Sequence, residues 1–412
     1  MKKIKIDHIA RIEGHMGFIG HIMANNITKA RLEVLEGARL IEGLLLDRNY
    51  DEAPIITSRI CGLCPTIHNI TSIKAMEAAL NIKPDENTKT LRKILLLAQI
   101  IQGHALHFFF LSAGDFLGIK NDLELIKRYP DLSKKTILIR DFANRLIEII
   151  AGRAIHPLTP CVGGFRKLPD QKNLNKLMQN YNDILLSSSE LTRFFAQLDY
   201  TNFSRETEYI ALSNPDEYAI YNGDIKTSAR KLIPESEFIK DVREIQKPYA
   251  VVKRSEYHGE PFMVGALARI NLNQNKLNNL SKRLIAESPI RFPSFNSMHN
   301  VFAQTIETVH AIEEIKILLE KINFKKIILN PKIKLHAGKG VGVAEAPRGT
   351  LYHSYELDNK GKILNADVIT PTAQFLANLE EDLKVLLGKT HDKAKIKTLI
   401  RAYDPCISCA TH

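Results

Sequence analysis

Two hydrophobic periods divide the chain. The first residues alternate apolar and polar positions in short runs, "KIKIDHIARIEGHMGFIGHIM" and "ITKARLEVLEGARLIEGLLL". Such period-two patterning predicts a small antiparallel strand layer over residues 1–50. From about Asp51 onward the apolar residues recur instead at helical spacing. Examples are "HNITSIKAMEAALNI", "TLRKILLLAQIIQGHALHFFFL", "TILIRDFANRLIEIIAG", "NLNKLMQNYNDILLSSSELTRFFAQL" and "NVFAQTIETVHAIEEIKILLEKI". Several are long enough to build a central bundle. The expected fold class is therefore α-rich α+β: a single large domain over 1–412, with a helical body from 51 to 412 under the strand layer.

Gly- and Pro-rich segments interrupt the helices at "RAIHPLTPCVGGF", "YHGEPFMVGALARI" and "LHAGKGVGVAEAPRGTLYH", which reads as loop structure able to approach a cofactor closely. "GKGVG" lacks the strand-to-helix context of a nucleotide fingerprint. The longest apolar stretch, "LLLAQIIQGHALHFFFLSAGDFLG", carries Gln99, Gln102, His104, His107 and Asp115, so it reads as a buried helix and not as a membrane span.

Charge changes this picture little. Lys+Arg number 57 against 46 Asp+Glu, a net charge of +11, but the basic residues are scattered without interleaved aromatics. That pattern favours a solvated surface over a nucleic-acid groove. Five cysteines and no apolar signal segment after "MKKIKIDHIARIEGH" point to a reducing, cytoplasmic setting.

Four of those cysteines form two Cys-x-x-Cys pairs, Cys61/Cys64 in "SRICGLCPTIHN" and Cys406/Cys409 in "DPCISCATH". Two such pairs can close a site on a soft divalent metal. Structural zinc is one reading, although zinc ribbons bring their pairs together across a short segment, whereas here almost the whole chain intervenes. A redox disulfide is another, without the βαβ context it usually has. A buried catalytic metal is the third, and suits a site that assembles only after nearly everything has folded. Cys161 reads as a small buried hydrophobe.

Five ordered motifs, "RIEGH", "RICGLCPTIH", "GRAIHPLTPCVGGF", "EAPRGTLYH" and "DPCISCATH", resemble the signatures of nickel-iron hydrogenase large subunits, and they span the whole chain. The stretches "RETEYIAL", "PDEYAIY", "MVGALARI" and "ITPTAQ" look most like the cytoplasmic, bidirectional, NAD(P)-linked members, including sulfhydrogenase α subunits. The resemblance implies a nickel-iron centre with one carbon monoxide and two cyanides on the iron. Cys61 and Cys406 would be terminal nickel thiolates, and Cys64 and Cys409 would bridge the two metals. Dihydrogen would be split unequally, its proton going to the Cys406 sulfur and leaving through Glu13. Read alone, Glu13 is first of all a strand-edge carboxylate paired with Arg11.

By the same resemblance Arg348 would hang over the open side of the metals, oriented by Asp115 and Asp404. Either aspartate read alone is a cap or turn residue. Thr372 would bond a cyanide, Pro347 and Pro371 would wall the ligand pocket, and His68 would donate to a bridging sulfur. A magnesium-like ion would be held by Glu42, the Val368 carbonyl and His412. The family removes a C-terminal extension after that histidine, which implies a maturation protease and nickel-insertion factors as partners. Two departures stand out: Phe375 occupies a position where many relatives have asparagine, and the element around Glu42 reads "ARLIEG".

No spare cysteine cluster remains for an iron-sulfur relay, so electrons require an iron-sulfur small subunit, with flavin and NAD(P) carried by further subunits. A metal-free quinone-site subunit of the respiratory complex I type shares the ancestry but lacks the paired thiols. A zinc-clasped scaffold would not call for "RIEGH", "EAPRG" and a terminal histidine together.

Overall fold

The computed structural model describes residues 2–23, 26–229, 231–247 and 250–412. Strands Lys2–Ile6, Met16–Met23 and Asn26–Val34 form an antiparallel sheet in chain order. Its alternation turns Ile4, Ile6, Phe18 and Leu32 inward. The strand pattern ends at Val34, earlier than its hydrophobicity suggests, and a short helix Ile41–Leu45 follows; its apolar positions supply that helix instead.

Four long helices pack as the central bundle: Glu86–Ala105, Pro130–Ala151, Tyr181–Ala196 and Asn300–Lys321. Their ends follow capping chemistry. The Asp85 carboxylate accepts from the backbone N–H of Asn87 and Thr88 at 2.9 and 3.0 Å, Pro130 opens its helix, and Gly152 closes that helix at φ 80°. Glu86–Ala105 runs on into a π-helical segment, Leu106–Ala113. The span Glu86–Phe116 is long and apolar enough to cross a membrane, yet 83% of its most apolar window is buried within the protein. Most of this helix is covered by its neighbours, which is why its sequence is apolar over most of its length, with Arg92, Gln99 and His104 as buried polar positions. The run "NLNKLMQNYNDILLSSSELTRFFAQL" gives two helices, Gln171–Met178 and Tyr181–Ala196, broken at Gln179 and Asn180.

More strand structure lies beyond Asp51 than the periodicity shows. "GKGVGVAEAPRGTLYH" is no loop: Gly338–Ala346 and Gly349–Leu357 form a tight hairpin, extended by Ile363–Ile369. The alternating glycines put one bare face of the first strand against the helix Pro65–Ala79. A Cβ at Gly340 would sit 2.2 Å from the Ala79 nitrogen and 2.3 Å from the Ala75 oxygen, both backbone atoms that cannot swing away. Gly340→Ala is therefore expected to lower stability by about 1–3 kcal/mol or more, read as a lower thermal midpoint; an unchanged midpoint would refute this packing account.

Buried histidines, His310 and His299 among them, are expected to make the fold pH-sensitive. His310 is fully buried in Asn300–Lys321 and accepts the Asn278 N–H at 3.2 Å, and burial pushes its pKa down to about 4. Burial pushes His299 down to about 4 likewise. Both are held neutral in the fold and gain protons on unfolding, so the stability they confer is present above about pH 6.5 and lost as pH falls towards 4. Thermal midpoints should decline across that window, and a flat profile would contradict it.

Candidate metal centre

The two cysteine pairs meet in the interior. Cys61 and Cys64 lie on the turn that opens the helix Pro65–Ala79, with Cys64 at its N-cap. Gln99, on the helix Glu86–Ala105, clamps this turn: its Nε2 donates to the Leu63 carbonyl at 3.0 Å and its Oε1 accepts the Thr66 N–H at 3.0 Å. The second pair follows a turn at Asp404, held at φ 56°, and the Cys406 N–H donates to Thr372 Oγ1 at 3.0 Å. All four sulfurs are buried and lie within 4.8 Å of one another. Cys61 Sγ stands 3.3 Å from Cys406 Sγ, Cys64 Sγ 3.4 Å from Cys409 Sγ, and Cys406 Sγ 3.0 Å from Cys409 Sγ.

Hydrogen bonds from Cys406 and Cys409 push the Cys61 thiol well down, while burial pushes Cys406 well up. Four sulfurs this close cannot all ionise unaided. A multivalent soft cation is what would make them thiolates together.

The chain's last residues are locked in from three sides. Glu13 grips them with backbone and side chain: its carbonyl accepts the Ile407 N–H at 3.0 Å, and Oε2 accepts the Ser408 N–H at 2.8 Å and the Cys406 thiol at 3.1 Å. The Ser408 hydroxyl donates to the other carboxylate oxygen. Arg39 donates from its guanidinium to the carbonyls of Ile60 and Ser408, and from its backbone N–H to the Thr411 carbonyl at 2.7 Å. Close approach at Gly14 completes the lock: a Cβ there would fall 2.6 Å from Ile407 Cβ, and the residue sits at φ 84°. Gly14→Ala should therefore impair docking of the tail and lower the nickel content of purified protein; wild-type metal content would show that the contact is dispensable.

Arg348 occupies the turn of the Gly338–Leu357 hairpin and is buried. Its Nη2 donates to Asp404 Oδ1 at 2.8 Å and its Nε to the Asp404 carbonyl at 2.7 Å. Burial opposes its charge, but Asp404 and the cysteine sulfurs outweigh burial and hold it cationic. Nη1 is buried with no protein partner. A small cavity lies beside it, walled by Pro347, Pro371, Thr372 and His68 with Cys64 and Cys409. A buried donor without a protein partner and a largely apolar-walled space beside the Cys64 and Cys409 sulfurs fit a metal group carrying small acceptor ligands.

Asp115 does not orient Arg348. Standing past the π-helical segment, its carboxylate is taken by Arg11 at 2.5 Å and by Arg401 at 2.5 and 2.8 Å, where it ties the "RIEGH" segment to the helix Lys393–Ala402. Phe375 turns from the cavity and packs on Tyr403, ring centroids 5.5 Å apart.

Glu42, Val368 and His412 converge at a second polar site. His412 Nε2 is 2.6 Å from the Val368 carbonyl and 3.6 Å from Glu42 Oε1, and Glu42 Oε1 accepts the Val368 N–H at 3.2 Å. Lys253 joins them, 3.0 Å from Glu42 and 2.9 Å from Glu244. Burial lowers the His412 pKa, opposed by the Glu42 carboxylate. This ring, carboxylate and carbonyl set fits a hard divalent cation.

Sequence reasoning missed Gln99, Ser408, Lys253, His353 and Arg269, the last three because nothing in local pattern marks a buried partner brought in from elsewhere. Arg269 is the anchor of the Arg348 turn. Its guanidinium binds Glu307 at 2.6 and 2.7 Å and Glu345 at 2.7 Å, and donates to the carbonyls of Ala346 and Pro347 at 2.9 and 3.1 Å.

Comparisons with known proteins agree with this geometry. A family model described as nickel-dependent hydrogenase matches residues 39–139 and 195–412. The chain is 32% identical to sulfhydrogenase 1 subunit alpha of Pyrococcus furiosus, over 99% of this chain and 97% of that protein. It is 27% identical to the NAD-reducing hydrogenase HoxS subunit beta of Cupriavidus necator, over 100% and 95%. Its fold superposes on the crystal structure of an NAD+-reducing [NiFe]-hydrogenase in the H2-reduced state with a TM-score of 0.89 at 26% identity, covering both chains fully. With its four buried thiols gathered within 4.8 Å of one another, this chain belongs to the nickel-dependent hydrogenases, as their catalytic subunit, an oxidoreductase acting on dihydrogen.

Proposed function

We propose that the chain performs reversible heterolytic cleavage of dihydrogen, with Cys61, Cys64, Cys406 and Cys409 holding a nickel-iron group and Glu13 carrying the proton. The carrying observation is the Glu13 carboxylate, 3.1 Å from the Cys406 sulfur on one oxygen and bonded to Ser408 on both. When bound, the metal group supplies the open coordination site and the redox change. The protein's residues do the rest. Cys406 takes the proton at sulfur, Glu13 receives it, and Arg348 faces the reacting space with its free Nη1, a fixed cation in a dry cavity. Cys61, Cys64, Cys406 and Cys409 would together hold the nickel-iron group, Cys61 and Cys406 on nickel alone and Cys64 and Cys409 shared with iron, as the family resemblance implies.

The cavity between Pro347, Pro371 and Thr372 would receive the carbon monoxide and two cyanides of the iron, with Arg348 and Thr372 available as donors. Glu42, Val368 and His412 hold a magnesium-like ion that pins the tail. Electrons leave through an iron-sulfur small subunit and on to flavin and NAD(P) subunits; the subunit naming of the relatives supports a heteromer, and the HoxS relative supports the nicotinamide link. A nickel-insertion factor must act before the tail closes over the thiols. Five free cysteines support a cytoplasmic setting.

Hydrogen-dependent reduction by the intact complex, assayed with NAD+, NADP+ and a viologen dye in turn, tests the assignment. Reduction of a nicotinamide is expected. Turnover with the dye alone would remove the nicotinamide link and keep the hydrogenase, and none with any acceptor would remove both.

A further inference from the structure

A chain of four buried polar side chains leads away from the Cys409 sulfur, and none of the steps above uses it beyond its first member. His68 Nε2 lies 3.7 Å from Cys409 Sγ. His68 Nδ1 lies 3.2 Å from His353 Nε2, His353 Nδ1 lies 2.8 Å from the Tyr355 hydroxyl, and that hydroxyl lies 3.0 Å from Ser72 Oγ. All four residues are at most 2% exposed, so no solvent competes for these bonds.

Proton counting fixes the direction of the chain. Each neutral imidazole carries one N–H and one bare nitrogen, whereas a hydroxyl can donate and accept at once. A Cys409 thiolate can only accept, so His68 must carry its proton on Nε2 and leave Nδ1 bare. Nδ1 then accepts from His353 Nε2–H, His353 Nδ1 is bare, and the Tyr355 O–H must donate to it. The Ser72 hydroxyl then donates to Tyr355. The nearby Thr57 hydroxyl is committed elsewhere, donating to the Ala53 carbonyl at 2.8 Å. Every donor in the chain points towards the sulfur, and bonds aligned in this way polarise one another. A Cys409 thiol that donated to His68 would reverse all four bonds.

We propose that Tyr355 is a positioning residue that sets the tautomers of His353 and His68, so that His68 donates to the Cys409 sulfur once that sulfur is a bridging thiolate. This rests on the nickel-iron reading above.

The test is Tyr355→Phe, which removes one hydroxyl and keeps the ring, with Ser72→Ala as a second variant at the outer end. Both are made in the metal-loaded complex and read by infrared spectroscopy of the iron-bound carbon monoxide. Losing the donor to sulfur leaves the bridge more electron-rich. The carbonyl band of Tyr355→Phe should therefore move to lower wavenumber in matched redox states, and that of Ser72→Ala should move less in the same direction. Wild-type band positions in Tyr355→Phe, or an upward shift, would overturn the proposal. Should Tyr355→Phe fail to load metal, the Ser72→Ala spectrum decides by the same sign. A wild-type complex without any such band would overturn the nickel-iron reading itself, and this inference with it.

Discussion

Replacing Glu13 by glutamine is expected to lower hydrogen turnover by about 10²–10⁴-fold, the range lost when a positioned proton carrier is removed. The substitution is isosteric. A glutamine carbonyl still accepts the Ser408 N–H, and its amide can still bond the Ser408 hydroxyl, so the tail stays docked and the four thiols stay gathered. Only the capacity to take a proton from the Cys406 sulfur is lost. Nickel content and the infrared signature should therefore match wild type while hydrogen–deuterium exchange collapses. Glu13→Asp should fall between, because the carboxylate survives but stands one methylene further from sulfur. Near wild-type turnover in Glu13→Gln would show that the proton leaves by another route.

The second large effect is structural in origin. Arg269 is fully buried, and its guanidinium places five contacts on two carboxylates and two carbonyls. Glu307, which also receives Tyr218 at 2.5 Å and His104 at 2.7 Å, is held well below the usual carboxylate range against the opposing effect of burial, chiefly by Arg269. Arg269→Met would leave two buried carboxylates without their cation. Removing one partner of such a pair costs about 3–5 kcal/mol. The loss is concentrated at the Ala346 and Pro347 carbonyls, so the Arg348 turn should loosen as well, and turnover should drop further than stability alone accounts for. Arg269→Lys should rescue little, because an ammonium cannot span acceptors that a planar guanidinium reaches in several directions. A stable, fully active Arg269→Met would mean that the turn is held by its hairpin alone.

The legible and illegible parts of this protein divide along physical lines. The bundle was visible because long amphipathic and fully apolar runs advertise their period, and the first sheet because its strands alternate. "GKGVGVAEAPRG" read as a loop because glycine is a loop signal in isolation. Here the glycines fall on one face of a strand where a helix backbone presses within van der Waals reach, a fact about the neighbour that no local pattern contains. The thiol cluster was legible because cysteine pairs are rare and spaced for metal. Asp404 pairs with Arg348, whereas Asp115 pairs with Arg11 and Arg401, and its position past the π-helical segment gives no sign of that. Gln99, Arg269, His353 and Lys253 act through partners distant in sequence, and become visible only once the helices are packed.

One spectrum bears on the central claim more directly than any variant. Infrared absorption of the metal-loaded complex, in the region where metal-bound carbonyl and cyanide stretch and ordinary protein groups do not, should show sharp bands that shift under hydrogen. A sample loaded only with zinc and showing no such bands would contradict the nickel-iron account and return the two cysteine pairs to a structural clasp.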